Sequence, residues 1–272
     1  VKPVIQFREY QRPVFEDNET GVLVLHWSRQ IGKSFTLAAW AVDRLLTRPG
    51  RLVTVLSNSK DNGAEFALKC REILNLLGVA KEAVGLSMSD DTVEYKDMHH
   101  EVKVKVKGKT GRIKVLAANP RTARGFSGDL ILDEFAIHEN PGEIWAAIFP
   151  SVTSPHGGLK KLRIVSTPKG RGNKFADLWE HNENYSTHKV TIEDAVRMGL
   201  KVNIDELKAG VDDPDIWAQE YMCEFIDSTS VLLPYEMIGK CESTAIADDG
   251  VSPLYIGMDV GRSKDLSVII TA

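Results

Sequence analysis

The sequence has no long apolar run and few cysteines. Its 272 residues contain no stretch of about 18 apolar residues, so we expect no membrane-spanning helix. The segment Val1-Lys2-Pro3 lacks the apolar centre of a signal peptide. Cys70, Cys223 and Cys241 form no Cys-x-x-Cys pair, which is typical of a protein of the reducing cytosol rather than of a disulfide-stapled one.

The chain also has little excess charge of either sign. It carries 34 Lys and Arg against 38 Asp and Glu, a formal net charge of -4. This balance excludes a constitutively basic nucleic-acid coat, so any contact with DNA must be local, transient or assembled from several subunits. Apolar residues make up 43% and charged residues 26%, as in ordinary globular proteins, and the length allows one large or two small domains.

Short apolar runs alternate with segments of helical spacing along the first two thirds of the chain. This alternation predicts an α/β fold with a mostly parallel sheet and helices on both faces. Ligands of such sheets bind at the carboxyl ends of the strands. We predict strands at 22–26, 52–56, 102–106, 113–117, 130–132 and 162–165, a hairpin turn at 108–111, and helices at 35–46, 66–77 and 144–148.

The pattern changes toward the C-terminus. Residues 193–224 are helical in spacing and acidic, and two new strands are predicted at 254–259 and 266–271. We therefore predict three parts: a main domain at 1–192, a helical subdomain and linker at 193–250, and the start of another domain at 251–272.

A candidate phosphate-binding loop joins the first strand to a helix and reads Ser28-Arg29-Gln30-Ile31-Gly32-Lys33-Ser34. Backbone N–H groups at such a turn point toward phosphate, and the helix dipole favours negative charge there. Lys33 can reach the outer phosphates of a nucleotide, and the Ser34 hydroxyl can bind Mg²⁺. Trp27 replaces the first glycine of the usual pattern, and an ordinary capped helix start is the alternative interpretation.

The predicted strand at 130–132 runs into two carboxylates, Asp133 and Glu134. Beside Ser34, Asp133 would hold Mg²⁺ directly or through water, and Glu134 would polarise the water that attacks the γ-phosphate. The alternative is a strand that simply ends in a polar loop. Asp129 interrupts what would otherwise be a longer apolar run.

Two arginines and two hydroxyls could act on the same phosphate. Arg124, in the loop before the acidic strand, and Arg29, inside the phosphate loop, are candidates for stabilising transition-state charge, within one subunit or across two. Each is equally compatible with a solvated or structural arginine. Ser166 and Thr167 follow a predicted strand and could sense the γ-phosphate, although such hydroxyls are common strand caps.

A basic stripe follows from the alternation of valine and lysine at 102–107. It could contact DNA phosphates without sequence preference, but lysines on an edge strand also protect it against aggregation, and we favour this second interpretation. The stripe consists of Lys103, Lys105, Lys107, Lys109, Arg112 and Lys114.

Taken together and in this order, these motifs resemble those of the large terminase subunit of tailed bacteriophages, an ATP-driven motor that packs viral DNA. That family's phosphate loop reads much like Ser-Arg-Gln-x-Gly-Lys-Ser, which accounts for Trp27. The resemblance implies a P-loop NTPase fold of the ASCE/RecA-like kind, with ATP and Mg²⁺ as cofactors. The further matches are Arg8-Glu9-Tyr10-Gln11, with Gln11 as the adenine contact, Arg124-Gly125, Leu132-Asp133-Glu134, Ser166-Thr167-Pro168, and 217–225 before the linker.

The resemblance further implies the partners of such a motor. These are double-stranded DNA, a portal protein, a small terminase subunit and about four further copies in a ring, in the host cytoplasm and without membrane contact. A different ATP-dependent translocase or a helicase is one alternative. A nucleotide-binding assembly module that does not hydrolyse ATP is the other.

The same family carries a ribonuclease-H-like nuclease domain. Tyr255-Ile256-Gly257-Met258-Asp259 resembles its first strand, with Asp259 as the first metal-binding carboxylate and Asp265 nearby. Two-metal cleavage needs several carboxylates from separate strands. The residues from 254 onward are too few to supply them, so we expect an incomplete nuclease domain without nuclease activity.

Overall fold

The computed structural model describes residues 5–83, 97–98, 100–124, 128–153, 160–181, 184–226, 256–259 and 268–271. The contacts divide the chain into two compact units, residues 1–230 and 231–272. No helix in the described ranges is both long and apolar enough to cross a bilayer.

The first unit is built on one eight-stranded sheet, in the order β3-β4-β5-β2-β6-β7-β1-β8. All pairings from β5 to β8 are parallel, whereas β4 runs antiparallel to both of its neighbours. The α/β fold with a mostly parallel sheet is therefore confirmed. The strands are β1 (Val22–Trp27), β2 (Leu52–Ser57), β3 (Asp97–Met98), β4 (Glu101–Val106), β5 (Lys109–Ala117), β6 (Asp129–Asp133), β7 (Leu162–Ser166) and β8 (Ser186–Val190).

Helices cover both faces of this sheet, because its central strands are apolar on both sides. Leu25 faces a core formed with α2 and α3, and Val24 faces a second core formed with α5 and α6. The helices are α1 (Arg12–Glu16), α2 (Lys33–Thr47), α3 (Lys60–Ala83), α4 (Pro120–Ala123), α5 (Pro141–Thr153), α6 (Lys174–Glu180), α7 (Ile192–Arg197), α8 (Ile204–Val211) and α9 (Pro214–Ile216). A 3₁₀ turn spans Phe135–Ile137, and a π-helix spans Trp217–Tyr221.

The predicted hairpin turn at 108–111 was wrong by a few residues. The turn consists of Lys107 and Gly108, with φ angles of 49° and 73°, and β5 already begins at Lys109. Two positive φ angles match the two-residue turn whose twist suits a hairpin. Gly111 lies inside β5 instead, where a Cβ would come within 3.0 Å of the Arg51 carbonyl oxygen and of Leu45 Cδ2.

Asp129 breaks the apolar pattern of β6 because it is a buried ion-pair centre. One carboxylate oxygen accepts from Arg44 Nε at 2.8 Å, and the other accepts from Arg51 Nη2 at 2.7 Å and from the Lys161 N–H at 2.9 Å. Burial alone would raise the pKa of Asp129, but these hydrogen bonds outweigh it and hold the pKa below its usual range. These contacts fix the start of β6 against α2 and β2.

The described part of the second unit is an antiparallel ladder of β9 (Ile256–Asp259) and β10 (Val268–Thr271). Asp259 is the last residue of β9 and lies opposite Val268. Asp265 lies outside the described residues. The assignment of this unit to a ribonuclease-H-like domain stays a prediction.

Candidate nucleotide-binding site

The two main motifs of the sequence lie at one edge of the sheet. The phosphate loop follows β1 and the acidic pair ends β6, and only β7 separates these parallel strands. All three strands therefore deliver their carboxyl ends to one place, as expected for a ligand site of a parallel sheet.

The phosphate loop is anchored on both sides. The Ser28 N–H donates to the carbonyl of Val190 at the end of β8 at 2.8 Å, and the Tyr10 hydroxyl donates to the Ile31 carbonyl at 2.7 Å. Gln30 and Gly32 have φ angles of 58° and 92°, so the backbone turns sharply before α2 begins. Such a turn followed by a helix N-terminus forms a typical phosphate cradle.

Lys33, Ser34 and the acidic pair converge in the structure. The Lys33 side chain is buried, and its Nζ lies 3.2 Å from Glu134 Oε1 and donates to the Trp27 carbonyl at 3.4 Å. The Ser34 hydroxyl donates to Asp133 Oδ2 at 3.4 Å. The structure thus brings together the residues that the sequence suggested for phosphates and Mg²⁺.

The electrostatics of the acidic pair indicate that its negative charge is only partly compensated. Burial and then the adjacent Glu134 raise the pKa of Asp133 to about 7, against the effects of Lys33 and of the Ser34 hydrogen bond. Asp133 Oδ1 and Glu134 Oε2 are buried without a hydrogen-bond partner. Asp133 Oδ1 and the Ser34 hydroxyl are hard oxygen donors of the kind that Mg²⁺ prefers, so these two residues fit the ion.

Glu134 has a left-handed backbone, with φ 54° and ψ 48°. This conformation is uncommon for a residue other than glycine, asparagine or aspartate, and it persists only where the surroundings enforce it. Here the Ala136 N–H donates to Ser166 Oγ at 3.1 Å, which ties the turn after Glu134 to the end of β7. Thr167 follows and is also buried. Ser166 therefore contacts the acidic turn directly.

His138 was missed by the sequence analysis. Its Nε2 lies 2.9 Å from the Asp133 carbonyl oxygen, and its ring packs edge-on against Phe135. Burial lowers the pKa of His138, which favours the neutral ring, and Nε2 carries a proton in this contact because a carbonyl can only accept. His138 thus closes the turn that holds Glu134. The separation of five residues from Asp133 carries no recognisable motif, so only the structure could identify this contact.

Gln11 lies against the phosphate loop. Its Oε1 accepts the Arg8 N–H at 3.0 Å, and its Nε2 is buried without a partner beside Gly32. A buried amide donor without an acceptor is costly and uncommon, so this atom fits an acceptor supplied by a ligand. Contact of Gln11 with adenine stays a prediction.

The two candidate arginines, Arg29 and Arg124, make no described contact with Asp133 or Glu134. Arg29 lies 3.7 Å from Glu220 through Nη1, and its N–H donates to the Glu220 carbonyl at 2.9 Å. Arg124 is exposed at the C-terminal end of α4, and Gly125 lies outside the described residues. Glu220, in the predicted 217–225 segment, is therefore a neighbour of the phosphate loop that sequence reasoning missed.

We expect Gly32→Ala to weaken nucleotide binding. A Cβ on Gly32 would lie 2.6 Å from Gln11 Nε2, and the φ of 92° is itself unfavourable for alanine. A left-handed alanine costs about 1–2 kcal/mol before any clash. Gly21→Ala is the matched control, because nothing lies within 4 Å of its Cβ position. Titration with a fluorescent nucleotide checks this, and equal affinities for the two variants would contradict it.

The fold and this site define the class of protein: a P-loop nucleoside-triphosphatase domain, in which a phosphate loop after one strand faces an acidic strand end two strands away. A family model described as "Terminase large subunit, T4likevirus-type, N-terminal" matches residues 24–240. The chain belongs to this terminase large-subunit family.

Individual proteins agree with this assignment. The probable terminase large subunit gp28 of Escherichia phage Mu is 28% identical over 204 residues, which cover 71% of this chain. The match spans only 36% of that relative, so the matched part of this chain corresponds to about a third of its length.

Solved structures show the same fold. The large terminase ATPase domain of Thermus phage P74-26 has a TM-score of 0.64 at 21% identity, covering 81% of this chain and 94% of that one. The large terminase of a second thermophilic bacteriophage, in complex with ADP, has a TM-score of 0.57 at 16% identity, covering 82% and 54%.

Proposed function

We propose that this chain hydrolyses ATP and that hydrolysis drives double-stranded viral DNA into a procapsid. The observation that carries the proposal is the convergence of Lys33, Ser34, Asp133 and Glu134 at the carboxyl ends of β1 and β6. Family membership supports the link to DNA packaging.

Each residue has a role that follows from its position. The loop amides and Lys33 bind the phosphates of ATP, and Gln11 donates to the adenine from beside Gly32. Ser34 and Asp133 would hold Mg²⁺, which when bound offsets charge on the β- and γ-phosphates. Glu134 orients the attacking water and accepts its proton at Oε2, the oxygen left without a partner.

The Lys33–Glu134 ion pair makes the activity of Glu134 depend on ATP binding. While Lys33 lies 3.2 Å from Glu134 Oε1, its ammonium group holds this carboxylate in an ion pair. Phosphates that bind in the loop compete for the same ammonium group. ATP binding therefore releases Glu134 to act on water.

The movement that follows would pass through Ser166 and Thr167. The hydrogen bond from the Ala136 N–H to Ser166 Oγ joins the acidic turn to β7. Loss of the γ-phosphate would therefore shift the carboxyl ends of both β6 and β7. Arg124 or Arg29 would stabilise transition-state charge. Neither contacts the acidic pair within the described residues, which favours an arginine supplied by a neighbouring subunit or after a rearrangement.

The proposed setting is a ring of about five copies on the portal protein, together with a small terminase subunit, in the host cytoplasm. These partners rest on the family alone. Asp259 would be the first metal-binding carboxylate of the nuclease domain that the family carries.

Steady-state ATP hydrolysis tests the proposal against its two alternatives. We expect turnover that requires Mg²⁺, rises with duplex DNA and increases per subunit with protein concentration, since an arginine supplied in trans needs contact between copies. Absence of turnover under all conditions would favour an assembly module that only binds nucleotide. Separation of duplex strands coupled to turnover would favour a helicase.

A further inference from the structure

A strongly basic face lies at one edge of the large sheet. In the β4–β5 ladder, Lys103 pairs with Arg112, Lys105 with Thr110, and Glu101 with Lys114. Paired residues share a face, and Val102 and Val104 occupy the opposite one in the core. We call Lys103, Lys105, Arg112 and Lys114 the basic face.

This face concentrates positive charge in an otherwise acidic chain. Residues 102–128 contain eight basic residues and no acidic one, although the formal net charge of the chain is -4. Glu101 lies 3.7 Å from Lys103 and 3.6 Å from Arg112, and it is the one carboxylate in the β4–β5 ladder. Within this ladder the cations of the basic face therefore outnumber the carboxylates, and Lys105 is exposed.

The arrangement suits a regular polyanion. Residues that share a face of a strand are about 6.8 Å apart, which corresponds to about two nucleotide steps at 3.4 Å per phosphate of one strand. Residues 101–118 contain no aromatic side chain, so this stretch offers no platform for unpaired bases. Protein interfaces, in contrast, have apolar centres depleted of charge.

We propose that the basic face binds the backbone phosphates of duplex DNA without reading its sequence. The proposal rests on the proposed function for the identity of the nucleic acid. It assigns part of the DNA contact to the hairpin of β4 and β5, apart from the nucleotide-binding site at the carboxyl ends of the central strands.

The competing explanation is that these lysines only protect the edge of the sheet against pairing with another chain. Charge of either sign provides that protection. Charge reversal therefore separates the two explanations, because a glutamate keeps the edge charged but repels phosphate.

The test compares Lys105→Glu with Lys201→Glu, since both side chains are exposed and both substitutions change the net charge equally. Binding to a short duplex is measured by fluorescence anisotropy between about 50 and about 200 mM salt, with two unrelated sequences and a single strand. We expect Lys105→Glu to raise Kd at least about five-fold, equally for both duplex sequences, and to reduce the salt slope by about 1. Lys201→Glu and Lys105→Arg should bind like the wild type.

Several outcomes would contradict the proposal that the basic face binds duplex DNA. They are equal affinities of Lys105→Glu and Lys201→Glu, no duplex binding by the wild-type protein, or tighter binding of the single strand than of the duplex. Unchanged DNA affinity of Lys105→Glu, with no aggregation in gel filtration, would support edge protection instead. ATP turnover without DNA is measured in parallel. Turnover without an effect of Lys105→Glu on DNA affinity would contradict only the DNA-binding role of the basic face, whereas absence of turnover would contradict the proposed ATPase activity.

Discussion

Glu134→Gln is expected to lower ATP turnover by about 10²–10⁴-fold while ATP still binds. The amide cannot accept the proton of the attacking water, but it keeps the size of the side chain and can still accept a hydrogen bond from Lys33. The phosphate loop and Ser34 are unchanged, so the contacts that hold the phosphates persist. Single-turnover hydrolysis and nucleotide titration measure the two properties separately.

Glu139→Gln is the control for this prediction. Glu139 is exposed five residues further along, and its substitution makes the same chemical change outside the site. We expect turnover equal to that of the wild type. Wild-type turnover in Glu134→Gln itself would remove Glu134 from its role as base.

Asp129→Asn should cause the largest loss of stability, about 3–5 kcal/mol in the free energy of unfolding. Asp129 is fully buried and bridges Arg44 and Arg51. An asparagine would remove the carboxylate charge that pairs with both guanidinium groups, and Arg44 is itself buried. Urea denaturation measures the loss, and Asp205→Asn, an exposed carboxylate, should change stability by no more than about 0.5 kcal/mol.

The lowered pKa of Asp129 also determines how the stability of the protein changes with pH. A carboxyl with a lower pKa in the folded than in the unfolded state stabilises the protein above the unfolded value, about 3.9. This contribution is lost as the pH falls from there through the folded pKa. Wild type should therefore lose stability more steeply below about pH 4 than Asp129→Asn, and parallel curves would contradict the assignment.

The parts that could be predicted from the sequence are those with a local pattern. The continuous apolar runs indicated β1, β2, β6 and β7 because strands buried on both faces are apolar throughout. The phosphate loop and the acidic pair were visible because each joins a strand to a polar turn. Their meeting at one edge followed from parallel strands.

The parts that escaped prediction depend on distant contacts. Strand β8 is polar and half exposed, so its sequence shows no apolar run. His138 acts on the backbone of the acidic turn, and nothing in its neighbouring residues indicates that. Ser166 was a candidate phosphate sensor, but its hydrogen bond from the Ala136 N–H could not be predicted. Asp129 broke the pattern visibly, but its partners lie 85 and 78 residues away in the sequence.

The π-helix at Trp217–Tyr221 positions a carbonyl group that binds the phosphate loop, and this position depends on the length of the segment. Its wider turn places the Met222 N–H on the Trp217 carbonyl, five residues back, and the Glu224 N–H on the Ala218 carbonyl. The Glu220 carbonyl is thereby available to the Arg29 N–H. Removal of one residue would let an ordinary α-turn form and would shift this acceptor out of register. The number of residues in this π-helix thus determines whether the phosphate loop keeps its hydrogen bond to the Glu220 carbonyl.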